Sequence, residues 1–219
     1  MKKTFLYLFL LVNVSFFACK NTQKPKEEID VTSAAPVETT PGIATIFKVD
    51  NAKSSISWAG SSLHGKHNGL VNLSSGRINV VEGNITTGDF DIDMSGLSVS
   101  DLKGKEKAEL EKHLKESDFF ETTKFSTGRF VITKVEKVNG NPNATHQVSG
   151  DLTLKGITNP VSFLANIKIT ENEIEATSNE FTIDRTKWKI TYESALIGAI
   201  IDNAIKDDIL LKIKLFATK

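Results

Sequence analysis

The sequence is poor in cysteine: one of its 219 residues, Cys19, carries a thiol. A single cysteine excludes a disulfide within the chain and a zinc site built on several thiolates. An excess of charge is also lacking, because 27 Lys and Arg side chains balance 27 Asp and Glu side chains. Nucleic-acid-binding proteins usually show a basic excess or a basic stripe, and this sequence has neither. We therefore expect no nucleic-acid partner.

Catalytic motifs are missing as well. The sequence contains no Gly-x-Ser-x-Gly elbow, no glycine-rich phosphate loop and no His-Glu-x-x-His motif. His64 and His67 stand three residues apart and could share a metal ion, but no acidic or cysteine partner lies near them in the chain, which favours a solvated turn. Acids and bases often meet only in the fold, so missing motifs do not exclude an enzyme. We predict a protein that is not an enzyme and holds no metal or cofactor.

The strongest hydrophobic run is confined to the N-terminus. Lys2 and Lys3 precede an apolar segment, residues 5–17, which is too short to span a bilayer comfortably. Ala18 then stands before the single cysteine, which resembles a bacterial lipoprotein cleavage site, although Phe16 replaces the leucine that this pattern prefers. We predict a signal peptide over 1–18 and a lipidated Cys19. The alternative is an ordinary signal peptide with an incidental cysteine.

Residues 19–42 have the composition of a flexible tether. They carry three prolines, a Lys/Glu cluster and no aromatic residue. Such a segment cannot bury enough apolar surface to offset the entropy lost on ordering. The pattern therefore predicts a lipidated leash that ties a folded domain, residues 43–219, to a membrane.

A β-hairpin is predicted over residues 148–169. Val148, Gly150, Leu152 and Leu154 alternate with polar residues, as in a strand with one dry face. Turn residues follow at 156–160, and alternation resumes from Val161, so we expect Pro160 to be the first residue of the second strand. An isolated hairpin is marginally stable in water, so it needs partner strands.

The rest of the domain supplies these strands. Short alternating segments predict strands at 46–49, 55–60, 70–73, 77–81, 90–94, 125–138, 173–183, 188–192 and 209–216. One amphipathic helix is predicted over 102–117, capped by Ser100 or Asp101, and residues 195–205 read as a short helix or a loop. We predict an all-β fold of about eight strands. An antiparallel barrel is favoured over a sandwich because closure removes exposed strand edges.

Three segments in order resemble the YceI-like family. They are residues 150–161, the pair His113-Leu114 followed by residues 117–120, and residues 184–188, with the strand at 209–215 closing the match. Leu110-Glu111 stand where the family usually has Arg-Asp, and Ser126 where it has proline. The resemblance implies a lipocalin-like extended barrel, with the helix at its mouth, that binds a polyisoprenoid or similar amphiphilic lipid. It also implies a place in the bacterial cell envelope, facing the periplasm or the cell surface.

The implied ligand needs an apolar interior. Burying each CH2 group contributes about 0.8 kcal/mol, so a long isoprenoid chain can bind with few polar contacts. The predicted lining residues are Phe90, Ile92, Met94, Phe130, Ile132, Leu152, Leu154, Phe163, Ile167 and Trp188.

The sequence leaves alternative roles for two polar residues and two alternative functions for the protein. His113 is expected to be a hydrogen-bonded histidine at the mouth or, less simply, a contact to a lipid head group. Arg185 is expected to pair with a carboxylate such as Asp184, with the polar end of a ligand as the alternative. Two other functions fit the same pattern. One is a structural or stress-related envelope protein with a filled barrel, and the other is an enzyme acting on a bound lipid.

Overall fold

A computed structural model describes residues 42–194 and 204–219. The predicted signal peptide at 1–18, Cys19 and all but the last residue of the predicted tether lie outside these residues. Most of the segment at 195–205, predicted to be a short helix or a loop, lies outside them too.

Ten strands, one α-helix and one short 3₁₀ helix make up the described part of the chain. The strands are β1 (Thr45–Val49), β2 (Ser55–Ser61), β3 (Lys66–Val81), β4 (Asn84–Val99), β5 (Thr127–Lys137), β6 (His146–Leu154), β7 (Ile157–Ile169), β8 (Glu173–Ser178), β9 (Phe181–Asp184) and β10 (Asp208–Thr218). Helix α1 (Gly104–Lys115) lies between β4 and β5, and the 3₁₀ helix (Arg185–Trp188) follows β9.

Eight of the strands form a closed ring. Neighbours pair in the order β2, β3, β4, β5, β6, β7, β8 and β10, and β10 pairs back with β2. Every pairing in the ring is antiparallel. Short β1 bridges β3 and β10, while β9 pairs with β10. The predicted antiparallel barrel is confirmed.

Strand β3 corrects the prediction of two short strands separated by a turn. It runs without interruption through Ser74, Ser75 and Gly76, where the sequence predicts a break. The pairing with β4 shifts in register between Leu73 and Ser75, so the extra residue is absorbed as a bulge. A bulge bends a strand without ending it, which lets β3 and β4 each extend over 16 residues.

The hairpin of β6 and β7 is confirmed, but its turn is shorter than predicted. Lys155 and Gly156 form a two-residue loop with φ angles of 49° and 70°, the signature of a type I′ turn. Pro160 is therefore the fourth residue of β7, opposite Asp151, and not the first. Ladder pairs alternate between hydrogen-bonded and non-bonded positions, and Pro160 falls on a non-bonded pair counting from the turn. Its missing N–H therefore removes no bond to β6.

Helix α1 is attached to the barrel by acidic side chains and not by the predicted cap. Among the described residues, Lys103 is the N-cap and its side chain makes no capping hydrogen bond. Asp101 accepts hydrogen bonds from the Asn68 backbone N–H and the His67 ring, each at 2.9 Å. Glu111 accepts from the Val99 backbone N–H at 2.9 Å. No helix in the described ranges is long and apolar enough to cross a membrane.

Two strand predictions near the C-terminus are wrong. The predicted strand at 173–183 is split into β8 and β9, which lie on either side of Asn179 and Glu180. The predicted strand at 188–192 begins inside the 3₁₀ helix, whose first turn is closed by Asp184. The Asp184 carboxylate accepts from both the N–H and the hydroxyl of Thr186, at 2.9 and 2.6 Å. This local side-chain capping outweighs the β propensity of the residues that follow.

Candidate functional site

A cavity of about 560 Å³ occupies the interior of the barrel. Inward-facing side chains of the ring strands form most of its wall, since alternate residues of a strand point to the same face. Nine of the ten predicted lining residues lie on this wall: Phe90, Ile92, Met94, Phe130, Ile132, Leu152, Leu154, Phe163 and Ile167. Their contact with a lipid stays a prediction.

Trp188 is the exception. It is buried, with 1% of its surface exposed, but it is not among the described residues that line the cavity. Its indole N–H donates to the Leu152 backbone oxygen at 3.1 Å, so the ring packs into the wall and ties the 3₁₀ helix to β6. In the predicted strand the Trp188 side chain is expected to face the cavity. The 3₁₀ helix instead directs it into the wall.

Several wall residues are missing from the sequence prediction. β2, β3 and β10 contribute a largely aliphatic part of the wall, including Ile56, Val71, Leu73, Leu211, Ile213 and Leu215. The same alternation that identified the other residues is present in these strands. Their pairing across the ring, which brings the C-terminal strand beside the second strand, is a long-range feature that alternation does not report.

Four phenylalanine rings stand in a row across one side of the wall. Phe90 on β4 and Phe130 on β5 have ring centroids 6.3 Å apart, and Phe163 on β7 lies 5.9 Å from Phe130. Phe181 on β9 stacks on Phe163 at 4.6 Å, with the ring planes 16° apart. All four line the cavity, and we call them the aromatic belt.

Helix α1 closes part of one end of the cavity. Leu110, His113 and Leu114 on the helix line the cavity, which places the predicted helix at the barrel mouth. The His113 ring packs edge-on against Tyr192 and Phe119, at 4.7 and 5.6 Å between centroids. In the described part of the chain, these aromatic contacts replace the hydrogen bond predicted for His113, and its contact to a head group stays a prediction.

Acidic groups surround the C-terminal end of α1. His113, Glu116 and Asp118 hold ligand atoms within 4.8 Å of one another, a spacing that a metal ion could bridge. Both carboxylates are exposed, as acidic side chains on a protein surface usually are, so this cluster does not by itself indicate a metal site. The nearby Glu193 charge, with burial and the Asp118 charge, raises the pKa of Tyr192.

Polar groups gather at the same mouth. Ser61, Ser62, His64, Glu193 and Lys206 line the cavity there, and the Lys206 N–H donates to the Ser61 oxygen at 2.8 Å. His67 also lines the cavity and contacts Asp101 at the root of α1. Burial raises the pKa of Asp101, but hydrogen bonds from the Asn68 N–H and the His67 ring outweigh it, so the pKa lies below its ordinary value.

Arg185 is the most deeply buried charge of the site, with 1% of its surface exposed. Its guanidinium donates to the backbone oxygens of Lys206, Ile190 and Ile205, at 3.2, 3.0 and 3.1 Å. One nitrogen also lies 3.1 Å from Asp207 Oδ1. Burial lowers the pKa of Arg185, and the neighbouring carboxylates oppose that shift.

The carboxylate partner predicted for Arg185 is therefore present, but it is Asp207 and not Asp184. Asp184 instead accepts hydrogen bonds from Thr186. Through these contacts Arg185 links the 3₁₀ helix to the start of β10. It also lines the cavity, and its contact to the polar end of a ligand stays a prediction.

Comparison with known proteins gives consistent matches. A family model described as YceI-like domain matches residues 47–217. A UPF0312 protein of Vibrio vulnificus is 34% identical over 91 residues, covering 37% of this chain and 46% of that protein. A UPF0312 protein of Pseudomonas putida is 38% identical over 88 residues, covering 38% and 44%. The chain thus spans somewhat less than half the length of these curated relatives.

Solved structures match over a larger part of the chain. A crystal structure of BcnA from Burkholderia cenocepacia superposes with a TM-score of 0.61 at 18% identity, covering 78% of this chain and 99% of that one. A polyisoprenoid binding domain from Saccharophagus degradans, implicated in plant cell wall breakdown, gives 0.54 at 13% identity, covering 78% and 97%. At these identities the likeness shows a shared fold.

Proposed function

Because the chain belongs to the family of YceI-like domains, we propose that it binds or carries a polyisoprenoid or similar amphiphilic lipid inside the barrel. The observation that carries the proposal is the cavity of about 560 Å³, enclosed by a closed ring of strands and walled mainly by apolar side chains. A solved protein of the same fold is a polyisoprenoid binding domain, which supports a ligand of this class.

The energetics favour an extended hydrocarbon. Each CH2 group moved from water into the barrel contributes about 0.8 kcal/mol, without any directional contact. Part of that gain is lost in ordering the chain, so the affinity falls below the sum. A long chain can still bind with few polar contacts, which fits a wall on which hydrogen-bonding groups are scarce away from the mouth.

The distribution of polar groups gives the ligand a direction. Ser61, Ser62, His64 and Lys206 lie at the mouth, whereas the wall beyond them is mainly apolar. An amphiphile inserted tail first would bury its chain and leave its polar end among these groups. In this arrangement the head group contributes orientation, and the tail contributes most of the affinity.

A place in the cell envelope belongs to the same proposal. The apolar N-terminal run that ends at Cys19 favours export and lipidation, so that the barrel is tethered to a membrane that holds its ligand. We assign the domain a binding role and no catalytic role. A filled structural barrel, and an enzyme that acts on the bound lipid, are the alternatives that the experiment below separates.

The test is extraction of the purified protein with organic solvent, followed by mass spectrometry of the extract. We expect an isoprenoid or similar amphiphile in a fixed ratio to protein. Ala176 lines the cavity on β8, and its neighbour Thr177 faces outward. Ala176→Trp fills the lumen and should remove most of the lipid, at a cost in stability near the lower end of the 1–3 kcal/mol typical of overpacking.

Thr177→Trp is the matched control, because it adds the same bulk to the opposite face of the same strand. It should retain the lipid. An empty extract from the unmodified protein, together with a large loss of stability in Ala176→Trp, would establish a filled core and overturn the proposal. Chemical turnover of the extracted lipid by the purified protein would favour the enzyme.

A further inference from the structure

The aromatic belt is distinct from the rest of the wall. Its four rings follow one another with centroid separations of 6.3, 5.9 and 4.6 Å, and they extend over β4, β5, β7 and β9. On the other side of the ring, β2, β3 and β10 present mainly Ile, Leu and Val side chains to the same cavity, with Trp58 on β2 as an aromatic exception. One side of the lumen therefore carries a continuous row of phenylalanine rings, and the other side is mainly aliphatic.

Glycines opposite the belt let two of the rings lie close to the wall. A Cβ atom at Gly150 on β6 would stand 2.6 Å from Phe130 Cε2. A Cβ atom at Gly76 on β3 would stand 2.8 Å from Phe90 Cδ1, and one at Gly88 would stand 3.3 Å from Phe90 Cε2. The first two separations are shorter than real Cβ contacts and the third is tighter than most of them, so a larger residue would force the neighbouring ring to shift. The glycines therefore leave room for Phe90 and Phe130 beside the wall.

An aromatic surface can contribute more binding free energy to an unsaturated ligand than an aliphatic surface of equal area. A saturated chain gains the burial of its apolar surface on either side of the lumen. A segment with double bonds also presents a π-system to the rings. Well-placed contacts between π-systems are worth about 0.5–1.5 kcal/mol beyond area burial when both partners are aromatic rings. Isolated double bonds fall at the lower end of that range, and several of them act along one chain.

We propose that the aromatic belt is a specificity element that selects unsaturated, planar hydrocarbon segments over saturated chains of the same length and branching. The proposal rests on the proposed lipid-binding function and adds the chemical class that the cavity prefers. Phe130 and Phe163 hold the centre of the belt, since each contacts a ring on either side.

The test uses two probes with one carbon skeleton. Geranylgeraniol carries four double bonds, and phytanol is the fully saturated alcohol of the same length and branching. Protein is incubated with an equimolar mixture in detergent micelles and isolated by gel filtration. Both alcohols are then quantified by mass spectrometry. We expect geranylgeraniol to be enriched about 3- to 10-fold over phytanol.

Variants assign the preference to the belt. In Phe130→Leu/Phe163→Leu the enrichment should fall to less than half its value, while both alcohols still bind. Phe216→Leu on β10 is the matched control, because it makes the same Phe→Leu change at a residue that does not line the cavity, and it should leave the ratio unchanged. If the double variant does not fold, the single variants Phe163→Leu and Phe181→Leu decide, each with a smaller fall in the ratio.

The outcomes of this experiment distinguish a failure of the belt proposal from a failure of the proposed lipid-binding function on which it rests. Equal binding of the two alcohols, or a ratio that the Phe→Leu variants leave unchanged, overturns the belt as a specificity element and leaves lipid binding intact. A ratio that persists in this way would come from the stiffness of the unsaturated chain alone. Failure of both alcohols to bind the unmodified protein counts against the proposed function itself.

Discussion

Gly156 is the residue on which the β6–β7 turn depends most directly. Its φ of 70° lies in the left-handed region, where a side chain costs about 1–2 kcal/mol. A Cβ atom there would also stand 3.2 Å from Phe125 Cε1. We therefore expect Gly156→Ala to lower the free energy of unfolding by about 1–2 kcal/mol, measured by denaturant titration.

Gly60 provides the control at this scale. In the described part of the chain nothing lies within 4 Å of the position that its Cβ would take, and its φ is not positive. Gly60→Ala should be neutral or slightly stabilising, because it lowers the entropy of the unfolded chain. Equal effects of the two substitutions would show that the turn conformation carries no strain for alanine.

Single residues also show what sequence can and cannot predict. The positive φ at Gly156 is predictable because turn chemistry is local. The partners of Arg185 are not, since Ile205, Lys206 and Asp207 follow it by about twenty residues and meet it only in the fold. The direction of the Trp188 side chain is missed for a related reason: one Asp–Thr capping contact converts a predicted strand into a 3₁₀ turn.

At the scale of elements, Asp101 precedes helix α1 and ties its N-terminal end to the barrel mouth through hydrogen bonds from His67 and Asn68. The pKa of Asp101 lies below its ordinary value, so its charged form stabilises the folded state. This contribution is complete above the pKa of the unfolded chain, near pH 4, and is lost as the pH falls through the lower folded value. Asp101→Asn should therefore cost about 1 kcal/mol at pH 7 and less at pH 3.

The measurement is a set of denaturant titrations from pH 7 to pH 3 on both proteins. Glu109→Gln on the same helix is the control, since Glu109 is exposed and forms only a 3.5 Å surface pair with Lys105. Surface pairs of this kind are worth about 0–1 kcal/mol. A gap between wild type and Asp101→Asn that stays constant with pH would show that the carboxylate charge does not hold the helix.

Elements are predicted well where their signal is local and poorly where it depends on pairing. Alternation identifies most strands of the ring, and Leu110 and Leu114 correctly mark the face that α1 turns to the cavity. The break predicted at Ser74 and Gly76 is wrong because a bulge and a turn use the same residue types. The register of β3 against β4 distinguishes a bulge from a turn. Register depends on how two strands pair, so the local sequence of β3 does not reveal it.

At the scale of the whole molecule, the barrel and the predicted N-terminal signal peptide are consistent with one proposed arrangement. Every residue of the described hydrophobic core lies between Phe47 and Ala217. A lipid anchor would therefore add location without adding stability. In the arrangement proposed above, the anchor would hold the protein at a membrane and the cavity would accept a lipid chain from it.

This arrangement predicts that Cys19 carries a lipid. Cells grown with an alkyne-tagged palmitate should incorporate the tag into the protein, and Cys19→Ser should abolish incorporation. Asn21→Ser, two residues away, is the control and should leave labelling intact. The melting temperature of the purified domain should be the same in all three proteins, because the described core contains none of the substituted positions. An unlabelled wild-type protein would contradict the anchor, and the barrel would then meet its lipid as an ordinary exported protein.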